Sequence, residues 1–336
     1  MIKYIFNLFK YKKKKLINVL ACDRILNWFI FDIDAITPCC EMPHNGELNL
    51  SLYDHNDHDD LIQRKINLIQ EINLNNEHIC RKCYRLQIHN TITYKDFLPK
   101  IISLSFDKSC NIRCSYCFMA SPEVRKTLVR SIEHNTMVRK KIMDLFGQFP
   151  KNSVERVGWT GGEPFLMPDF EPFYEKIISM NPYALSFYTN LTHYKESVRP
   201  QRTPHKISIV CSLDAGTPET YYKIKGRDYF YSVIENIKKY CSINQESIVI
   251  KYIFCHYNYS TTEIDAFFKI IKDAGVTNVR ISFDDFASEY PTQDILDGML
   301  YFIKTAKEKN YCIDSTIRMP VKEVDALLPK ATGISL

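Results

Sequence analysis

Ile101-Ile-Ser-Leu-Ser-Phe106-Asp-Lys-Ser-Cys110-Asn-Ile-Arg-Cys114-Ser-Tyr-Cys117 sets three thiols within eight positions, shortly after an apolar run. The run 101–106 reads as a strand, so the cysteines occupy the loop at its end. Soft thiolates at short spacing select iron–sulfur clusters or zinc over calcium or magnesium. A cubic four-iron cluster has four corners, and ferredoxin-type sites fill each with a cysteine. This loop supplies Cys110, Cys114 and Cys117, and no fourth cysteine follows nearby. A cluster held here therefore keeps one iron open to a ligand that is not protein. Zinc in a closed structural site wants four ligands, and the next candidates, His134 and Cys211, are not at motif spacing. Zinc, or three plain buried cysteines, remain the alternatives on the triplet alone.

A second motif follows in order. Gly161-Gly162-Glu163-Pro164 comes after another apolar run, Val154–Trp159. Alone, such a tetrapeptide is an ordinary turn. Together, Cys-x3-Cys-x-aromatic-Cys after a first strand and Gly-Gly-Glu-Pro after a second resemble the signatures of the radical S-adenosylmethionine (SAM) enzymes. The resemblance implies that Cys110, Cys114 and Cys117 hold a [4Fe-4S] cluster whose open iron is chelated by the amino and carboxylate groups of SAM. It implies reductive cleavage of SAM to methionine and a 5′-deoxyadenosyl radical, which takes a hydrogen atom from the substrate. An electron donor such as flavodoxin or ferredoxin is the expected partner. By the same likeness Tyr116 lies against the adenine, and Gly161, Gly162, Glu163 and Pro164 form the segment that steadies the methionine amino group. The cofactor brings the difficult chemistry, and the protein positions it.

From about residue 99 apolar strands alternate with helical stretches. Strands are expected at 101–106, 154–159, 184–188, 206–213, 247–255 and 278–283. Helices are expected across 136–146, 168–180, 232–240, 262–274 and 293–309. This order argues parallel strands with helical crossovers. The expected fold class is α/β, and the six units match the partial (β/α)6 TIM-type barrel of the radical SAM core, preceded by a small cysteine-containing α+β segment. Parallel strands covered on both faces should be nearly all apolar. Polar residues at alternate positions therefore mark a ligand cavity at the strands' carboxyl ends. Ser208, Ser212 and Asp214 share one parity on the fourth strand, Lys251, Ile253 and Cys255 on the fifth, and Arg280, Ser282 and Asp284 on the sixth.

The family likeness assigns Ser212 and Asp214 to the SAM ribose, with loop capping by Asp214 beside Gly216 as the plainer reading. Lys251 is a candidate partner for the SAM carboxylate, or a lysine snorkelling from a strand end. Asn190 ends the third strand where the family often carries Thr-Asn-Gly; Leu191 replaces that glycine. Asp284 and Asp285 are expected to orient substrate or cap the sixth strand. Cys255 is a candidate hydrogen-atom donor, against a buried, inert cysteine.

Upstream, residues 27–36 read as a strand or hairpin leading into Cys39-Cys40, Gly46 marks a turn, and 61–72 reads as a helix with Leu61, Ile62, Lys65, Ile66 and Ile69 on one face. Cys80-Arg-Lys-Cys83 follows. The order resembles the SPASM or twitch segment of many radical SAM enzymes, which normally follows the barrel and here precedes it. It implies an auxiliary iron–sulfur cluster on Cys39, Cys40, Cys80 and Cys83, with structural zinc, or no metal, as the alternatives. His44, His55, His58 and His78 invite a metal reading too, while around 54–60 (DHNDHDD) a polar, solvated loop is expected. The resulting division is 1–24 as a basic segment, 25–98 as the cysteine segment, 99–318 as the core and 319–336 as a tail.

Twelve cysteines in 336 residues are too few for a disulfide scaffold, and their grouping suits metal ligands in a reducing compartment, so cytoplasm is expected. Lys10 and Lys12 to Lys15 account for the whole formal charge of +5, which argues against a nucleic-acid surface. The apolar run 1–9 precedes those lysines, the wrong order for a secretory signal, and is too short to span a bilayer. A weak contact with an anionic membrane surface is one reading of it, a solvated tail the other. The leading functional expectation is hydrogen abstraction from an unactivated C–H bond, as a net oxidation or radical modification of a small molecule or peptide. Lack of an evident leader-binding domain favours the small molecule. Radical methylation, epimerisation and carbon–sulfur bond formation are the alternatives within the class, and a non-catalytic metal-binding scaffold the alternative outside it.

Overall fold

A computed structural model describes residues 15–37, 50–52, 57–199, 206–284 and 291–316. Cys39, Cys40, His44, Gly46, His55, Asp285, most of the basic N-terminal segment and the tail lie outside the described residues. In chain order the elements begin with β1 (Lys15–Ala21), α1 (Asp23–Asn27), β2 (Trp28–Phe31), β3 (Ala35–Thr37), β4 (Leu50–Ser51), α2 (His58–Leu74) and β5 (Gln87–Thr93). Then come β6 (Ile101–Leu104), α3 (Pro122–Leu128), α4 (Ile132–Gln148), β7 (Arg156–Trp159), α5 (Phe170–Ser179) and β8 (Ala184–Thr189). The remainder is β9 (Lys206–Ser212), α6 (Pro218–Lys225), α7 (Phe230–Cys241), β10 (Ile248–Phe254), α8 (Thr261–Asp273), β11 (Asn278–Phe283), α9 (Gln293–Glu308) and β12 (Cys312–Ser315). The mixed α/β order with parallel strands is consistent with a partial TIM-type barrel.

The chain divides into two compact units, one of Met1–Phe106, Ser131–Gly158 and Glu171–Tyr183, the other of Asp107–Arg130, Trp159–Phe170 and Ala184–Leu336. In the first, strands run in the order β7-β6-β2-β3-β4. β2 and β6 pair in parallel and β2 and β3 form the expected hairpin. Residues 15–21, expected in the basic segment, instead form β1, paired antiparallel with β5 from Lys15↔Thr93 to Ala21↔Gln87. The expected polar loop at 54–60 ends earlier than anticipated. Asp57 caps α2, accepting from the Asp60 amide at 2.8 Å, so His58, Asp59 and Asp60 form its first turn. Carboxylates there complement the helix dipole. Lys65, on the apolar face, is 1% exposed, and its Nζ donates to the Trp28 carbonyl at 2.8 Å and the Leu26 carbonyl at 3.3 Å, which is how the buried nitrogen is kept hydrogen-bonded. Leu26, Ile62, Ile66, Ile69, Ile72 and Cys80 belong to one buried hydrophobic cluster of this unit.

In the second unit β8-β9-β10-β11-β12 are consecutive neighbours, and all four pairs are parallel. β12 is an addition to the expected strands. Asn310 at φ 60° turns the chain out of α9, and the short, polar Cys-Ile-Asp-Ser run carries no alternation to announce it. Helix α6 was also not expected, although Thr217-Pro218 at its start and Gly226 at its end are standard start and stop signals. Behind the sheet, Tyr252 packs on Phe267 at 4.7 Å and Phe302 at 5.1 Å, so the opposite parity of β10 turns to the other face. Among the described residues no helix is long and apolar enough to cross a membrane.

Candidate active site

Each expected functional stretch follows a strand: 110–117 after β6, 160–164 after β7, 190 after β8, 214 after β9 and 284 after β11. Within the second unit, Cys110, Cys114, Tyr116, Cys117, Gly161, Gly162, Asn190, Ser212, Lys251 and Asp284 line one cavity of about 330 Å³. The polar parity of the last strands is thus at the cavity wall, with Ile253 and Ser282 beside it. Arg280 is not there. It forms a two-point pair with Asp314 on β12, at 2.7 and 2.8 Å. Arg113 and Arg125 join the wall; Arg125 also donates to the Cys110 carbonyl at 2.6 Å.

Glu163 and Pro164 stand behind the wall. The Glu163 carboxylate is buried and accepts from the Thr189 hydroxyl at 2.6 Å, the Asn190 amide at 2.6 Å and the Phe165 amide at 3.0 Å. It braces the turn that presents the backbone of Gly161 and Gly162. Burial pushes its carboxyl up to about 7, against those three hydrogen bonds, which favour the charged form. A carboxyl that holds its proton longer in the folded chain stabilises the fold most at low pH. That contribution fades as pH rises from 4.5 towards 7. Glu163→Gln is expected to erase this slope. It should also cost about 1–3 kcal/mol, because its amide nitrogen meets the Asn190 or Phe165 N–H donor to donor. Urea unfolding of both proteins at pH 5 and pH 8 checks both effects.

Asn190 ties two segments together. Its side-chain amide donates to Asn111 Oδ1 at 2.9 Å and lies 3.8 Å from the Cys110 sulfur. Leu191, standing where the resembled motif has glycine, takes the glycine conformation at φ 52° with its side chain fully buried. The left-handed backbone costs roughly 1–2 kcal/mol for a residue with a Cβ, offset by burial of a leucine at about 1.5–3 kcal/mol.

Asp214, expected at a ribose, is 0% exposed and does not line the cavity. One oxygen accepts from the Ile253 amide at 2.7 Å. The other accepts from the Tyr116 hydroxyl at 2.5 Å and pairs with Lys225. Lys225, which carried no expectation, also donates to the Tyr116 hydroxyl at 2.7 Å. Burial pulls its ammonium down, but Asp214 and the groups around it outweigh that and hold it charged. The helix signals of α6 could have found it, as a lysine in a last turn. Cys255 is buried off the cavity, and burial pushes its thiol up to about 11.

Burial likewise pushes the Cys110 thiol up to about 11 and raises that of Cys114. Such thiols give up their protons when a metal supplies the compensating charge. Among the described residues no three His, Cys, Asp or Glu side chains converge as ligands of a single ion do; a cluster takes one sulfur at each corner. Soft donors around a cavity with polar backbone opposite fit that group.

A family model described as the Radical SAM superfamily matches residues 104–263. A GTP 3',8-cyclase of Mannheimia succiniciproducens is 28% identical over 175 residues, 51% of this chain and 50% of that protein. One from Nautilia profundicola is 26% identical over 218 residues, 62% of this chain and 64% of that protein. The chain thus spans between half and two thirds of these curated relatives. Streptococcus suis SuiB, a solved structure, aligns with 79% of this chain and 56% of its own at a TM-score of 0.49 and 12% identity.

Proposed function

Because residues 104–263 match the Radical SAM superfamily model, we propose that this chain is a radical SAM enzyme in which Cys110, Cys114 and Cys117 hold a [4Fe-4S] cluster, with SAM on the open iron, and which abstracts hydrogen from a substrate C–H bond. The observation that carries this reading is the meeting of all three thiols with the backbone of Gly161 and Gly162 in one cavity. When bound there, the cluster supplies the electron that releases the 5′-deoxyadenosyl radical from SAM. The chain's own residues bind and orient. Tyr116 and Ser212 face the nucleoside, the Gly161–Gly162 backbone receives the methionine amino group, and Lys251 its carboxylate. Asp284 stands towards the substrate. Asp214 acts behind Tyr116 and not at the ribose, since its oxygens are already hydrogen-bonded.

With Lys251 taken by the SAM carboxylate, Arg113 and Arg125 on the wall against Asp284 favour an anionic partner beyond SAM itself. With the relatives' name, this makes GTP the first substrate to test, ahead of sugars, amino acids and peptides. Flavodoxin or ferredoxin is the proposed electron donor. The deciding experiment is anaerobic reconstitution with iron and sulfide, then dithionite and SAM, followed by chromatography for 5′-deoxyadenosine. Protein that stays colourless and iron-free after loading overturns the proposal. Adding GTP to the same mixture and looking for its consumption tests the substrate separately.

We also propose an auxiliary iron–sulfur site on Cys80 and Cys83, with Cys39 and Cys40 as partners. The Cys83 amide donates to the Cys80 carbonyl at 3.0 Å, so both thiols sit on one tight turn. Replacing Cys80 and Cys83 together by alanine is expected to lower iron content while SAM cleavage stays detectable. Metal analysis reads it: unchanged iron with lost zinc reassigns the site to a structural zinc.

A further inference from the structure

The last turn of α6 grips the middle of the cysteine loop. The Arg113 amide donates to the Lys225 carbonyl and the Ser115 amide to the Ile224 carbonyl, both at 2.8 Å, so the two bonds bracket Cys114. The side chain of the same Lys225 continues to the next residue. Its ammonium donates to the Tyr116 hydroxyl at 2.7 Å, lies 5.1 Å from the centre of that ring, and pairs with Asp214. The lysine side chain is 1% exposed and the aspartate 0%. Asp214 is itself immobilised. Its carboxylate accepts from β10 through the Ile253 amide, and its carbonyl accepts from the Asn258 side chain at 2.9 Å. At the helix end, Gly226 takes φ 66°, and a Cβ there would stand 3.1 Å from the Arg113 carbonyl.

A fully buried ion pair is a poor device for stability alone, since well-packed apolar residues often do as well or better. Here it links a rigid strand to the one aromatic side chain set between two cysteines. We propose that Lys225 is a positioning residue: through the Tyr116 hydroxyl it fixes the ring and the adjoining cysteines in the arrangement that receives SAM. This inference rests on the cofactor reading above. Outer-shell partners of this kind typically weigh about 10- to 100-fold on the site they orient. The expectation follows that SAM binding, more than cluster assembly, depends on Lys225.

The test uses the full chain, reconstituted anaerobically, with Lys225→Met, Lys225→Arg, Tyr116→Phe and the Lys225→Met/Tyr116→Phe double variant. The readout is the change in the electron paramagnetic resonance signal of the reduced cluster as SAM is titrated, with iron content and a thermal melt alongside. Lys225→Met is expected to need about 10- to 100-fold more SAM, with Lys225→Arg recovering most of the loss. Tyr116→Phe should weaken SAM in part, and the double variant should be no weaker than Lys225→Met, because both changes cut one link. Additive losses, or wild-type SAM affinity in Lys225→Met, overturn the inference. Where Lys225→Met leaves Asp214 buried without its cation and does not fold, Tyr116→Phe decides. It spares the ion pair, and unchanged SAM affinity in it overturns the inference too. A wild type whose signal ignores SAM brings down the cofactor reading and this inference together; a responsive wild type isolates the failure to Lys225.

Discussion

Cys114→Ala protein, reconstituted with iron and sulfide, is expected to lack the core cluster and to form no 5′-deoxyadenosine from dithionite and SAM. A cubic cluster with one iron open to SAM stands on three thiolates, and each carries one corner. Among the described residues no other cysteine lines the cavity. Cys211 is 0% exposed and Cys255 6%, and neither lines the cavity. The loop's backbone bonds survive the change: the Arg113 and Ser115 amides still reach α6, and the Cys117 amide still reaches the carbonyl of residue 114 at 3.0 Å. The fold should therefore persist, within the roughly 0.5–3 kcal/mol that most single substitutions cost. The measurements are the visible absorbance, iron per chain and deoxyadenosine yield, with circular dichroism to show a folded protein. A variant that still cleaves SAM would refute the ligand assignment.

Gly162→Ala is expected to be the more damaging change to the fold. Its Cβ would stand 2.3 Å from the Ser109 carbonyl oxygen and 2.8 Å from that of Asp107, both backbone atoms just ahead of Cys110. The residue also sits at φ 56°, in the left-handed region. Overpacking costs about 1–3 kcal/mol and the backbone conformation about 1–2 kcal/mol, so a loss of roughly 2–5 kcal/mol is expected. Relief by moving the 107–109 stretch shifts the first cysteine and breaks the bond from the Glu163 amide to the Ser109 carbonyl, now 2.7 Å. A lower melting temperature together with reduced cluster occupancy is the expected pair of observations. A melting temperature within experimental error of the parent protein would remove the packing argument.

The two motifs point to the same chemistry from different strands, and that agreement makes the class legible in the sequence. Local signals were enough for it because loop cysteines, a Gly-Gly turn and alternating apolar runs are short-range features. Where the reading fell short, the cause was long-range pairing. β1 pairs with β5 across some seventy residues, and β12 takes its place beside β11 through the Arg280–Asp314 pair. Neither carries a strong local signature. Asp57 ahead of α2 is a legible cap signal inside the stretch expected as a polar loop, and Thr217-Pro218 ahead of α6 is another, in a stretch that carried no expectation.

By itself the amino-acid order pointed to the class of protein, to most of its strand–helix alternation and to the three thiols that line the cavity, since each depends on spacing along the chain. Only the tertiary structure decided which polar residues meet the cavity. Ser212, Lys251 and Asp284 reach it, while Asp214, two positions beyond Ser212, turns at φ 60° away into the protein and is held by Tyr116, Lys225 and β10. Whether a carboxylate faces a ligand or braces the residue that does depends on what lies opposite it in space. For Asp214 the partners are a tyrosine 98 residues earlier and a backbone amide 39 residues later.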